Sequence, residues 1–155
     1  MIPEQSRELN RTVLQAFHRK NPHITIVRPT DSIALIERAG LDDTYGEFLR
    51  DFGRSGIPDV STVRALGETL GADAILQGEI FNIQQVDGDY HGNVGLTSLT
   101  VRYSLVGTHD GIILWETVSN PKKSTKTPFE PAPPLHQVIS EAQDWIASSL
   151  PLLGR

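Results

Sequence analysis

The chain has no cysteine. Disulfides, zinc–thiolate sites, iron–sulfur clusters and thiol nucleophiles are therefore excluded. The compartment stays open, because a cysteine-free domain suits an oxidising periplasm as well as a cytosol. No apolar run approaches the roughly 20 residues of a membrane span. Positive charge is not in excess either: 14 basic against 19 acidic side chains leave a net charge of −5. Nucleic-acid phosphates demand a basic patch, so that balance argues against such a partner. It gives no support for docking on anionic lipid.

Several chemical signatures are missing as well. There is no G-x-S-x-G, no P-loop, and no G-x-G-x-x-G opening a helix. The glycines at 88, 92 and 95 follow a strand-like run but lead into another. A phosphate cradle needs a helix N-terminus to supply oriented N–H groups. The five histidines are His18, His23, His91, His109 and His136. No two of them stand at a metal-ligating spacing on one helix or strand. No cofactor or metal is expected. The first residues, "IPEQSRELNR", show neither a basic n-region nor an apolar h-region. That leaves a cytoplasmic chain, or one whose export signal lies upstream of Met1.

What is present reads as a folded domain. The 155 residues fit one unit, and 38% hydrophobic with 21% charged side chains are ordinary globular values. A first helix is expected over "IPEQSRELNRTVLQAFHRKN", with Leu9, Val13, Leu14 and Phe17 on one face. A short strand is expected at Ile24–Arg28, then a helix capped by Thr30 or Asp31 and stopped by Gly40. Tyr45, Phe48, Leu49 and Phe52 form the apolar side of a third helix. Asp42 and Asp43 supply acidity at its start. A fourth is capped by Asp59 or Ser61, buries Val63, Leu66 and Leu70, and ends at Gly71.

The period then changes. "DAILQGEIFNI" is strand-like, and Gly78 inside it marks a bulge or a close backbone approach. "QQVDGDYHGNVG" is a loop. "LTSLTVRYSLV" alternates, with Leu99, Val101, Tyr103 and Leu105 on the buried face. "IILWETV" is the next strand, with Trp115 assigned to the core. "NPKKSTKTPFEPAPP", residues 120–134, holds five prolines and three lysines. It reads as an extended connector, neither helix nor central strand. A final helix carries Leu135, Val138, Ile139, Ala142, Ile146 and Leu150 as its stripe. The fold class is α/β (α+β), with an antiparallel meander in its later half.

Two candidate chemistries remain. His109 stands beside Asp110, which would make a catalytic pair if the carboxylate were buried against the imidazole. Asp110-Gly111 between apolar runs is also a hairpin signal of the type I′ kind, and that reading is preferred. The second candidate is the loop holding Asp87, Asp89, Tyr90 and His91, which is assigned to partner contact. From Asp73 to Glu116 there are six acids and one base, Arg102, whereas Lys122, Lys123 and Lys126 make the connector basic. This fits docking on a neighbouring subunit or a basic partner, or plain solvation of strand edges.

"LGETLGADAILQGEIFNI" followed by "LTVRYSLVGTHDGIILWE" resembles the small periplasmic domains of the CsgG / LpoB / TolB-N-terminal type. The matching residues are Leu70, Gly71, Ala72 and Asp73, then Gly78, then Gly111, Leu114, Trp115 and Glu116, within residues 60–119. The Pel polysaccharide-export lipoprotein is a similar small member. The resemblance implies a single domain over 1–155 with a mixed sheet and helices mainly on one face, a bacterial envelope lipoprotein setting and a non-enzymatic role in assembly or secretion. The partner would be an envelope protein or a second copy, and any lipid anchor would lie outside this chain. The implied address is periplasmic and outer-membrane-associated if an upstream signal exists. Family domains usually begin with a strand of the "VAVLPF" kind, and no such segment is found here. Two alternatives stand beside this one: a hydrolase using His91 with Asp87 or Asp89, and a ligand-binding or sensory module.

Overall fold

The computed structural model describes residues 3–153. Five helices and four strands follow in the order α1 (Pro3–Lys20), α2 (Pro29–Arg38), α3 (Asp42–Ser55), α4 (Val60–Leu70), β1 (Ala74–Val86), β2 (Val94–Gly107), β3 (Ile113–Ser119), β4 (Lys122–Pro128) and α5 (Leu135–Ser149). The strands form one antiparallel sheet of order β1-β2-β3, with β4 also paired to β2. The α+β class and the meander are as the sequence indicates. Contacts divide the chain into two compact units.

The first unit comprises Met1–His23, Gly78–Tyr103 and Thr117–Arg155. Here α1 packs on α5. Leu9, Val13, Ala16 and Phe17 of α1 are buried, as are Val138, Ile139, Ala142 and Ile146 of α5. Each such side chain contributes about 1.5–3 kcal/mol when fully withdrawn from water. On β2, burial alternates as far as Tyr103, with Leu99 and Val101 buried and Ser98, Thr100 and Arg102 half-buried. Gly78 is a close approach: a Cβ there would lie 2.3 Å from Tyr103 Cζ. The Tyr103 ring lies over the bare backbone of β1, and its hydroxyl donates to Asn10 Oδ1. Burial pushes the Tyr103 phenol well above its usual pKa.

Past the end of α1, Asn21 is fully buried and holds the C-terminal segment. Its Nδ2 donates to Pro151 O at 3.0 Å, and its Oδ1 accepts from Leu153 N at 2.7 Å.

The second unit comprises Ile24–Gln77 and Ser104–Glu116. Ile36, Phe48, Val63, Leu66 and Val106 make its core, with Leu41, Tyr45, Leu70 and Ile75 packed around them. The rings of Tyr45, Phe48 and Phe52 stack in sequence along α3. Asp59 caps α4 by accepting from Thr62 N, and Gly71 closes it at φ 62. The residues after that cap are tied by Thr108: its Oγ1 donates to Ala72 O at 2.7 Å and its N–H to Asp73 O at 3.0 Å. Gly67 leaves room for Thr108, since a Cβ there would lie 2.3 Å from Thr108 Cβ. Thus the "LGAD" stretch and the β2–β3 turn of this chain are held together by Thr108.

Four local expectations are corrected. Ile24–Arg28 pairs with no strand; it is an irregular lead into α2. Its β-branched residues fit an extended backbone, but no neighbouring strand offers a ladder to them. No side chain caps α2: Pro29 starts it at the first turn, and Asp31 pairs with Arg28 instead. Residues 122–128 of the expected connector form β4, along β2 beyond the end of β3, with Ser98 opposite Lys122 and Leu96 opposite Ser124. Proline at 121 and 128 bounds this strand rather than interrupting it. Leu49 is exposed and Trp115 half-buried, so neither joins the core.

Candidate contact surface

The β2–β3 connection is a hairpin, but of another type. Gly107 N donates to Ile112 O at 2.8 Å, leaving the four residues 108–111 in the loop. Only Gly111 has positive φ there, at 70°, so the turn is not type I′. Asp110 Oδ1 accepts from Ile112 N at 3.0 Å and fixes the turn backbone. His109 does not pair with Asp110. Its Nε2 lies 3.4 Å from Asp73 Oδ1, and the two side chains are 82% and 100% exposed. Arg64 Nη2 holds the His109 carbonyl at 2.8 Å. A water-exposed pair of this kind lacks the buried carboxylate that fixes an imidazole for proton transfer.

The loop between β1 and β2 is built differently. Asp89 Oδ1 accepts from His91 N at 2.9 Å and from Asn93 N at 3.1 Å, while Oδ2 accepts from Asn93 Nδ2 at 2.8 Å. The Asn93 side-chain bond, opposed by some desolvation and helped by the two backbone N–H groups, holds the Asp89 carboxyl below its usual range. His91 thus meets Asp89 through its backbone, not through its ring. Gly92, at φ 91, lets the chain turn between His91 and Asn93.

This loop is joined to the residues that follow β4. Gly88 N donates to Glu130 O at 2.9 Å, and Asp87 Oδ1 accepts from Ala132 N at 2.8 Å. Two glycines permit the approach: a Cβ on Gly88 would come within 2.8 Å of Phe129 N, and one on Gly95 within 2.9 Å of Glu130 O. Glu130 turns back on β4, where Oε2 accepts from Thr127 Oγ1 at 2.9 Å and from Thr127 N at 3.1 Å. The Thr127 hydroxyl is the larger cause of a Glu130 carboxyl held below its usual range.

The outcome is a fixed tip with two bare rings. Tyr90 is 89% exposed and Phe129 61% exposed. They meet edge to face, with centroids 4.9 Å apart and planes at 68°. Phe129 has φ 71, a left-handed conformation that costs a bulky residue energy. Asp87, Tyr90 and His91 all face solvent. They converge on no shared atom, and the Asp87 and Asp89 carboxylates are engaged with backbone. The sequence groups Asp87, Asp89, Tyr90 and His91 in one loop as candidate contact residues. It does not bring Phe129 and Glu130, about 40 residues downstream, against them. The two acids and the exposed tyrosine gave no sign that a later segment closes on them.

Among the described residues, no group of three or more His, Cys, Asp or Glu is arranged to hold a metal ion. No helix there is long and apolar enough to cross a membrane.

No family model matches the chain, and no curated protein matches it. Among solved structures, the chain is similar to the crystal structure of lipoprotein GNA1162 from Neisseria meningitidis, at a TM-score of 0.39 and 16% identity. That similarity covers 64% of this chain and 69% of the other.

Proposed function

We propose that this protein is a non-catalytic contact module, working in bacterial envelope assembly or secretion as a lipoprotein-type periplasmic domain. Its working surface is the loop at 87–93 together with Phe129 and Glu130. One observation carries the reading: two aromatic rings stand in water on a tip that Asp87 Oδ1 and both Asp89 carboxylate oxygens hold rigid. Exposed aromatics on a pre-organised backbone supply contact area at low entropic cost. A general acid needs a raised pKa in a cleft; Asp89 and Glu130 have lowered ones in the open. The envelope setting is supported by the motif resemblance over residues 60–119.

Two experiments test the two halves. A photo-crosslinking amino acid placed at Tyr90 in the native host should capture a protein, whereas the same group at Ser148 should not. Equal capture at both positions, or none at Tyr90, removes the contact reading. Spheroplast fractionation should release the protein with the envelope; recovery in the cytosol removes the envelope setting and leaves the contact surface standing.

A further inference from the structure

We infer that the Tyr90–Phe129 tip docks a cationic peptide segment, an arginine or lysine head laid on the aromatic pair beside carboxylates. The inference rests on the reading of this loop as a contact surface and names the chemistry of what it takes.

Charge complementarity decides the occupant. Residues 84–95 and 127–134 contain Asp87, Asp89 and Glu130 and no lysine or arginine; Lys126, next along β4, acts on Glu130 and leaves the tip with an excess of negative charge. Two of the three carboxyls titrate below their usual range, so they stay ionised at any physiological pH. Asp87 uses Oδ1 on the Ala132 N–H; Oδ2 accepts no hydrogen bond among the described residues. Aromatic faces carry the negative part of a quadrupole and attract cations, arginine above all. Because the two rings meet edge to face, the pair leaves ring surface open to a guanidinium. A guanidinium laid on the rings would pair a π-face with a carboxylate of the same tip, the combination that suits its planar fork.

The tip is also too costly in backbone terms to be a passive turn. Phe129 keeps a ring at φ 71, where glycine would be at ease. An acidic peptide or a nucleic acid would meet three like charges here, and a wholly apolar partner would strand Asp87 and Glu130 against it.

The test uses the full chain and fluorescently labelled Gly-Arg-Gly-Arg-Gly-Arg-Gly, read by anisotropy, beside the same peptide with citrulline for arginine. The arginine peptide should bind, and the citrulline peptide should bind at least about tenfold more weakly. Tyr90→Ala and Phe129→Gly should each weaken binding about fivefold. Glu141→Gln, which removes a charge from the exposed face of α5, should leave it unchanged. Equal binding by the aromatic variants, an equal loss in Glu141→Gln, or no arginine-peptide binding overturns the inference. Crosslinking at position 90 separates this from the reading beneath it. A captured segment that bears lysine or arginine, Lys122 and Lys123 of a second copy included, supports it. A captured uncharged segment overturns the inference alone, and an absent crosslink overturns both.

Discussion

The Asn21 carboxamide accepts the Leu153 N–H at 2.7 Å while its own Nδ2 donates to Pro151 O, and the side chain that does this is fully buried. One residue at the end of α1 thereby fixes the backbone that follows α5. Asn21→Ala leaves these buried groups without a partner, which costs about 1–3 kcal/mol. Urea unfolding should show the unfolding free energy fall by that amount and the midpoint fall with it, and Leu153 amide exchange should rise more than that of Val13. An unchanged midpoint would mean that the C-terminal segment contributes nothing to stability.

Gly78 and Tyr103 form a second exclusive pair. Gly78→Ala drives a methyl to 2.3 Å from the Tyr103 ring. Overpacking of this kind costs about 1–3 kcal/mol. Tyr103→Leu alone also destabilises, by removing a buried ring and its bond to Asn10. The double variant should be more stable than the two losses summed, since the smaller side chain admits the methyl. Strict additivity in thermal or urea unfolding would show that the two residues do not share the space.

Phe129 should behave in the opposite sense. Phe129→Gly removes a mostly exposed ring and relieves a left-handed phenylalanine. Stability should hold or rise by up to about 1 kcal/mol, while contact at the tip is lost. A fall of 1 kcal/mol or more would make Phe129 a structural residue.

The Asp89 carboxyl sets a pH limit on the loop. Its pKa is lower in the folded chain than in the unfolded one, so the stability it adds is full above the unfolded value near 4. That stability is lost as pH falls through the lower folded value. Proton exchange at the His91 and Asn93 amides should therefore quicken, beyond the intrinsic pH effect, only below about pH 4. Asp89→Asn should show the faster exchange already at neutral pH. Protection that begins to fail already near neutral pH would show that the Asp89 carboxylate does not hold the loop.

The exposed His109–Asp73 pair gives a contrast. His109→Ala should alter unfolding free energy by no more than about 0.5 kcal/mol. Gly111→Ala should cost more, because it combines φ 70 with a contact 3.1 Å from Val60 Cγ2. If His109→Ala were the more damaging change, the turn would depend on its imidazole.

Helices were readable in the residues where one apolar stripe met a clear stop. The α5 stripe is buried as expected from Leu135 to Leu150, and Asp59 and Gly71 bound α4 as their chemistry dictates. Strands were readable only where both pattern and partner were local. Ile24–Arg28 has strand composition and no partner, whereas Lys122–Pro128 has poor composition and pairs with β2. Pairing depends on what lies alongside, which no window of sequence records. The same reason divides the contact surface. Asp89 announces its own turn, but the Tyr90–Phe129 meeting depends on where β4 ends.

The union of the tip with Phe129–Ala132 has a mechanical meaning. Below Ala132 the chain runs through Pro133, whose carbonyl accepts from Thr97 Oγ1, and Pro134 into Leu135, where α5 starts. Proline-rich backbone is stiff. Load applied at Tyr90 therefore passes along a short stiff strut to the first turn of α5, whose inner face is buried, instead of being absorbed by slack in the loop.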